Sequence, residues 1–208
     1  VIYTLASVVD DIDFAVTDIL RGEDHMTNSA AQIQLFEALG SSPPRLGHLS
    51  LLTDISGEGL SKRLGSLSLK DLRQEGFQPM AISSLLSKVG TSDAIDIFKN
   101  INQIIDDFDI NKFGKSKPKF DKVELLNLNS KFFQLIDFDE ISGQLNTLDF
   151  EITTEFWNLI RGNINTFNDI KFWWDIVYGK IKTINNDHEF THLALKTLPN
   201  DSFDKNTW

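Results

Sequence analysis

Two apolar runs, Phe14 to Leu20 and Leu46 to Leu52, each lead into a charged, glycine-containing motif, with a stretch of helical character between them. The first run mixes apolar and β-branched residues and feeds Arg21-Gly22-Glu23-Asp24-His25; the second leads to Gly57-Glu58-Gly59-Leu60-Ser61-Lys62-Arg63. This order predicts two buried strands that deliver charged groups at their carboxyl ends, where open α/β sheets bind ligands. Of all features, it most restricts the fold.

The flanking elements are expected helices. Leu5, Val8, Val9 and Ile12 recur at helical spacing, so Tyr3 to Asp13 reads as a short amphipathic helix with Tyr3 and Ser7 on one face. His25 to Leu39 reads as a second helix, stopped by Gly40 and the following Ser41-Ser42-Pro43-Pro44. Arg21, at a strand end, suits a carboxylate because its planar fork donates two parallel hydrogen bonds. A surface pair with Glu23 or Asp24 is an equally good account of it. His48 is open to a packing role.

After Leu67 the chain becomes helical, with elements expected at Leu69 to Glu75, Pro79 to Val89 and Ser92 to Asp107, broken at Gly76 and Gly90. A structured loop holds Phe113, Pro118 and Asp121, and Val123 to Phe133 restarts a helix. Beyond Phe138 the aromatic and aliphatic stripes, Phe156 and Trp157 among them, read as core and not as base-stacking platforms. The fold class is mostly α with a small α/β part.

With 208 residues, 41% of them apolar, the chain can fill one large or two small cores. It has no cysteine, so disulfides and thiolate metal sites are excluded. No apolar run reaches membrane-spanning length. A net charge of −10 argues against a polyanionic partner, yet five lysines stand against Asp121 alone between Lys112 and Lys122. That segment is either a solvated loop or a local basic surface. His188-Glu189-Phe190-Thr191-His192 fits H-E-x-x-H, which on a helix would place two histidines toward zinc; no further histidine follows, so two exposed helix histidines are the stronger reading.

Tyr3, Val8-Val9-Asp10-Asp11, Arg21 to His25, His48 to Leu52 and Leu60-Ser61-Lys62-Arg63 stand in an order that resembles the bacterial glutamyl-tRNA synthetases, class I aminoacyl-tRNA synthetases. The Gly-Glu-Gly-Leu-Ser-Lys-Arg spelling resembles the alphaproteobacterial type. Phe113-Gly114-Lys115-Ser116, Lys119-Phe120-Asp121 and Arg161-Gly162-Asn163 extend the likeness along nearly the whole chain.

The resemblance implies the second half of a Rossmann-type catalytic domain over residues 1–68, a helical stem-contact domain over 69–138 and the start of a helical anticodon-binding domain over 139–208. It implies glutamate at Tyr3, Ser7 and Arg21. It places ATP beside Gly22, Glu23, Asp24, His25, His48, Leu51, Ser61 and Lys62. Lys62 and Arg63 belong to the motif that the family spells Lys-Met-Ser-Lys-Ser, and would stabilise negative charge that grows on phosphate oxygens as pyrophosphate leaves. Gly59 stands where the family often has a lysine, which shifts more of that task to Arg63. Mg2+ is expected as the cofactor beside ATP, and tRNA as the partner of Lys112, Lys115, Lys117 and Lys119. No protein metal site, DNA partner or membrane is expected; a cytoplasmic monomer is. Val1-Ile2-Tyr3 reads like the middle of a domain, and the family's His-Ile-Gly-His motif has no match, so the chain is expected to be a fragment that is inactive alone. The alternatives are a non-catalytic tRNA-binding module and, far behind, an H-E-x-x-H zinc hydrolase.

Overall fold

The computed structural model of the chain describes residues 3–60, 68–179 and 187–197. Two compact units make it up, Val1–Ile170 and Lys171–Trp208. Helices dominate both, and the only sheet among the described residues has two strands.

Helix α1 (Tyr3–Asp13) buries Val8. It closes with the Ala15 N–H donating to the Ile12 carbonyl at 3.1 Å and the Val16 N–H to the Asp11 carbonyl at 2.9 Å, while Ala15 sits at φ +52°. This left-handed stop occupies residues expected to begin a strand. Strand β1 therefore covers only Asp18–Gly22, and Phe14 is 81% exposed. After a 3-10 turn at Glu23–His25, helix α2 (Met26–Ala38) leads back to strand β2 (Arg45–Leu49), which pairs with β1 in parallel. The register sets Asp18 opposite Arg45 and Arg21 opposite His48. Arg45 clamps Asp18 through two bonds of 2.7 and 2.9 Å, which lowers the Asp18 carboxyl below its ordinary range.

The expected strands are shifted and are not buried. Leu20 is 61% exposed, whereas Ile19 and Arg21, on the opposite face, are half-buried. In a two-stranded sheet each strand is an edge, so alternate side chains turn outward without a covering layer.

Helices α3 (Leu69–Gln74), α4 (Pro79–Lys88) and α6 (Lys122–Leu135) enclose a core of Leu72, Phe77, Ala81, Leu85, Phe120, Leu125 and Leu128. Helix α3 starts with a reciprocal Ser68–Asp71 capping box. The helix expected from Ser92 is reduced to α5 (Ile101–Asp107), capped by the Asn100 side chain on the Gln103 N–H at 3.1 Å. Residues 92–100 are irregular, with polar groups bonded outside the stretch. Asp93 accepts from Lys88 and Lys112 at 2.9 Å each, and the Phe98 N–H donates to the buried Ser84 hydroxyl at 3.0 Å. Ile95 and Ile97, two residues apart, then lie on the core as they would in a strand.

A second core follows between α6, α7 (Phe138–Leu145) and α8 (Thr154–Ile160), where Phe133 and the fully buried Trp157 meet edge-to-face at 6.1 Å. Phe156 is buried beside it, as expected of core aromatics. Buried Asn129 accepts from the Gln78 N–H at 2.7 Å and donates to the Asn165 carbonyl at 2.5 Å, joining the start of α4 to the chain after α8. Helices α9 (Asp169–Tyr178) and α10 (His188–Thr197) complete the described chain. No described helix is long and apolar enough to cross a membrane.

Candidate active site

A pocket of about 250 Å³ opens where α1, β1 and α2 converge, lined by Tyr3, Ser7, Asp11, Ile19, Arg21, His25 and Gln32. Each element sends in its inward face. On α1, Tyr3, Ser7 and Asp11 follow at four-residue spacing; on β1, Ile19 and Arg21 share one side. The three residues expected to hold a substrate carboxylate, Tyr3, Ser7 and Arg21, thus meet in one cavity.

Arg21 does not take the surface pair with Glu23 or Asp24; its Nη2 donates to the Ser29 hydroxyl. Its Nε–H is buried and unpartnered, as is Gln32 Oε1. The Gln32 orientation follows from its neighbours. Ser7 donates its single hydroxyl proton to the Thr4 carbonyl at 3.1 Å, so it must accept from Gln32 Nε2 at 2.8 Å, which leaves Oε1 free. Arg21 and Gln32, each with one buried polar atom lacking a protein partner, thus line the pocket together with one carboxylate, Asp11.

The residues expected around the nucleotide form a neighbouring group. Gly22 is extended at φ −64°, and a Cβ there would fall 2.5 Å from Asp24 Oδ1 and 2.9 Å from Leu51 Cδ2. Only glycine lets these side chains close over the strand end. His25 Nδ1 lies 3.2 Å from Asn28 Nδ2 and its Nε2 is 4.0 Å from Asp24. Glu23 starts the 3-10 turn. His48 is engaged through one ring nitrogen: its Nε2 is 2.7 Å from the Ser29 hydroxyl. Ser61, Lys62 and Arg63 lie outside the described residues.

The chain entering that segment is fastened. Asp54 accepts from the Ser56 N–H, the Ser56 hydroxyl and the Glu58 N–H at 2.9, 2.6 and 2.9 Å, and the Ser56 hydroxyl above all holds its carboxyl below the ordinary range. Buried Thr53 donates its N–H to the Pro118 carbonyl at 2.9 Å and accepts from the Phe120 N–H at 2.8 Å. The Ser50 hydroxyl donates to the Lys115 carbonyl at 3.0 Å. The lysine-rich segment is thus tied to the residues that precede the Leu-Ser-Lys-Arg motif.

Among these lysines the structure separates two kinds. Lys112 is paired to Asp93 at 2.9 Å, and Lys122 bonds Glu75 at 2.6 Å. Lys115, Lys117 and Lys119 are exposed and make no ion pair among the described residues. His188 and His192 are exposed on α10, and among the described residues no group of three or more His, Cys, Asp or Glu side chains is placed to hold a metal.

Ser29 and Gln32 were not singled out as site residues from the sequence. With Phe36 they are the buried residues of α2, at i, i+3 and i+7. Two polar residues on the inward face of a helix were the available signal.

Residues 2–127 match the model of the family described as tRNA synthetases class I (E and Q), catalytic domain. Over its whole length the chain is 43% identical to a glutamate–tRNA ligase of Azospirillum brasilense and 43% identical to glutamate–tRNA ligase 2 of Orientia tsutsugamushi strain Boryong, covering 47% of each. The chain spans about half the length of the curated relatives it matches. In fold it is similar to a glutamate–tRNA ligase of Elizabethkingia meningosepticum solved with its amino acid, at TM-score 0.75 and 22% identity over 94% of this chain and 46% of that one. A glutamate–tRNA synthetase of Elizabethkingia anophelis gives 0.67 at 24% identity, over 82% of this chain and 40% of that one. Because the match takes in α1, both strands and the pocket beside β1 and runs on into α6, the chain belongs to the class I tRNA synthetase (E and Q) catalytic-domain family.

Proposed function

We propose that this chain is the amino-acid-binding and loop-bearing part of a cytoplasmic glutamate–tRNA ligase. The observation that carries the reading is the pocket of Tyr3, Ser7, Asp11, Arg21 and Gln32, where the buried Arg21 Nε–H has no partner. A cation, a carboxylate and an orphan acceptor within one small cavity suit a zwitterion with an extra carboxylate. The 43% identity to a glutamate–tRNA ligase supports L-glutamate as that ligand.

In this reading Arg21 grips a carboxylate of glutamate, and Tyr3 and Ser7 frame it. Gly22, Glu23, Asp24, His25, His48 and Leu51 border ATP. The glutamate carboxylate attacks the α-phosphate, pyrophosphate departs, and the glutamyl group then passes from the adenylate to the 3′ end of tRNA. Lys62, Ser61 and Arg63 supply positive charge and hydrogen bonds to the phosphates. Mg2+ held by the phosphate oxygens of ATP would add positive charge there, in keeping with its preference for few protein ligands. Residues 69–138 meet the tRNA stem through Lys115, Lys117 and Lys119, with Lys112 bracing the segment, and residues 139–208 open the anticodon-binding part.

The test is glutamate-dependent ATP–pyrophosphate exchange with tRNA present, on this chain and on the chain completed with the remaining half of the Azospirillum brasilense relative. Exchange in the completed protein that vanishes with Arg21→Ala and Lys62→Ala supports the proposal. A folded, completed protein that exchanges with another amino acid but not with glutamate refutes it.

A further inference from the structure

An arginine that must grip a carboxylate at two points needs its own guanidinium held, because a free side chain of that length samples many rotamers. Two residues outside the pocket wall supply the hold. The Arg21 Nη2 donates to the hydroxyl of Ser29, a residue only 4% exposed on the inward face of α2. That hydroxyl lies 2.7 Å from His48 Nε2 and 3.2 Å from the His25 carbonyl. His48 stands on β2 in register with Arg21 on β1.

The proton count closes. A serine hydroxyl has one proton and two lone pairs, so Ser29 accepts from Arg21 and gives its proton to His48 Nε2, the nearer acceptor, when the imidazole is neutral. Arg21 Nη2 is then fixed by a bond that leaves the Nε–H without a protein partner. The hold draws on α2 and β2, both packed elements, and on no flexible loop.

We infer that Ser29 is a positioning residue for Arg21, braced by His48, and that this pair sets the preference of the pocket for a carboxylate over the matching amide. The inference rests on the amino-acid-pocket reading above. An amide offers one lone-pair oxygen and an N–H₂ to a guanidinium that cannot turn away, so the N–H₂ faces donors and the ligand is rejected.

The experiment is titration of this chain with L-glutamate and with L-glutamine, followed through the Arg21 Nε–H resonance. The wild-type chain should prefer L-glutamate. Ser29→Ala should weaken L-glutamate roughly tenfold, leave L-glutamine nearly unchanged and shift the Nε–H signal in the ligand-free protein, while Ser29→Thr restores all three. A Ser29→Ala chain that merely melts earlier, with its glutamate-to-glutamine ratio intact, overturns the inference. If Ser29→Ala does not fold, His48→Gln is read in its place and should lower the same ratio. Should the wild type prefer glutamate and Arg21→Lys abolish that preference while neither Ser29→Ala nor His48→Gln moves it, this inference alone falls. Should the folded wild type show no preference and Arg21→Lys change nothing, the pocket reading falls and takes it along.

Discussion

Thr53 and Pro118, far apart in sequence, are joined by two hydrogen bonds, the Thr53 N–H and the Thr53 hydroxyl both donating to the Pro118 carbonyl at 2.9 and 3.3 Å. Through them the stretch before the Leu-Ser-Lys-Arg motif is tied to the lysine-bearing segment. Thr53→Val keeps the backbone bond and the shape but drops the hydroxyl. It should cost about 0.5–1.5 kcal/mol in urea unfolding. The Phe120 amide, whose partner is the Thr53 carbonyl, should also exchange with solvent faster; protection as in the wild type would show the two segments to be held by other means.

Helix ends supply a paired prediction. Helices α1, α2 and α3 all stop on a left-handed residue, Ala15 at φ +52°, Gly40 at +78° and Gly76 at +86°. At each, the residue after it donates its N–H five positions back: Val16 to Asp11, Ser41 to Phe36 and Phe77 to Leu72, at 2.9, 2.9 and 3.0 Å. Ala15→Gly should therefore stabilise the chain by about 0.5–1 kcal/mol, since a left-handed alanine is costly. Gly76→Ala should do the reverse and worse, because its Cβ would fall 2.9 Å from the backbone nitrogens of Phe167 and Asn168. Melting midpoints of the two variants should move in opposite directions.

The glycine stops and the 3.6-residue apolar repeats made α1, α2, α4 and α6 legible to within a residue or two. What the sequence hid was set by partners far along the chain. Asp93 sits in a stretch of helical pattern, but Lys88 and Lys112 claim its carboxylate and the backbone there bends without forming a helix. Ala15 carries none of the glycine signal of a left-handed stop, so the strand was expected four residues early. Resemblance pointed to Tyr3, Ser7 and Arg21, which line one pocket, whereas Ser29 and Gln32 had only the weaker signal of polar residues on the inward face of α2.

The Asp93 cluster makes stability depend on pH at the acid end. The bonds from Lys112 and, next, Lys88 hold the Asp93 carboxyl below its ordinary range, and the Lys112 ammonium is correspondingly raised by Asp93. A depressed carboxyl contributes stability that is present above its unfolded pKa of about 3.9 and is lost as pH falls through the folded value. The raised Lys112 contributes stability that is complete below about 10.4 and is lost as pH rises through its folded value. In denaturation midpoints measured from pH 2 to pH 6, Asp93→Asn should flatten the acid limb. An unchanged limb would remove the cluster from the account of acid stability.

Exposed and paired lysines should differ in what they do for tRNA. Replacing Lys115, Lys117 and Lys119 by Gln should lower the slope of log Kd against log salt by about 2, since each phosphate contact contributes roughly 0.7–0.9. Lys112→Gln should leave that slope almost alone and lower the melting midpoint, because its ammonium belongs to Asp93. Filter binding across a salt series reads the first effect and calorimetry the second. A slope indifferent to all three exposed lysines would place the polyanion elsewhere.

Gln32 combines a structural debt with a use for it. Its Oε1 is buried without a partner in the ligand-free chain, a state that destabilises the fold, while its Nε2 anchors Ser7 at 2.8 Å. Gln32→Met has nearly the same length and removes the orphan acceptor, although it also leaves Ser7 without its donor. Because Ser7 can still give its proton to the Thr4 carbonyl, the loss at Ser7 is small and the gain at Oε1 is not offset in full. The variant should melt no lower than the wild type. It should bind L-glutamate more weakly, since the pocket lining has lost an acceptor, and glutarate, which lacks the ammonium, should discriminate less between the two proteins. Equal stability with unchanged glutamate affinity would mean that water, and not the ligand, completes Gln32.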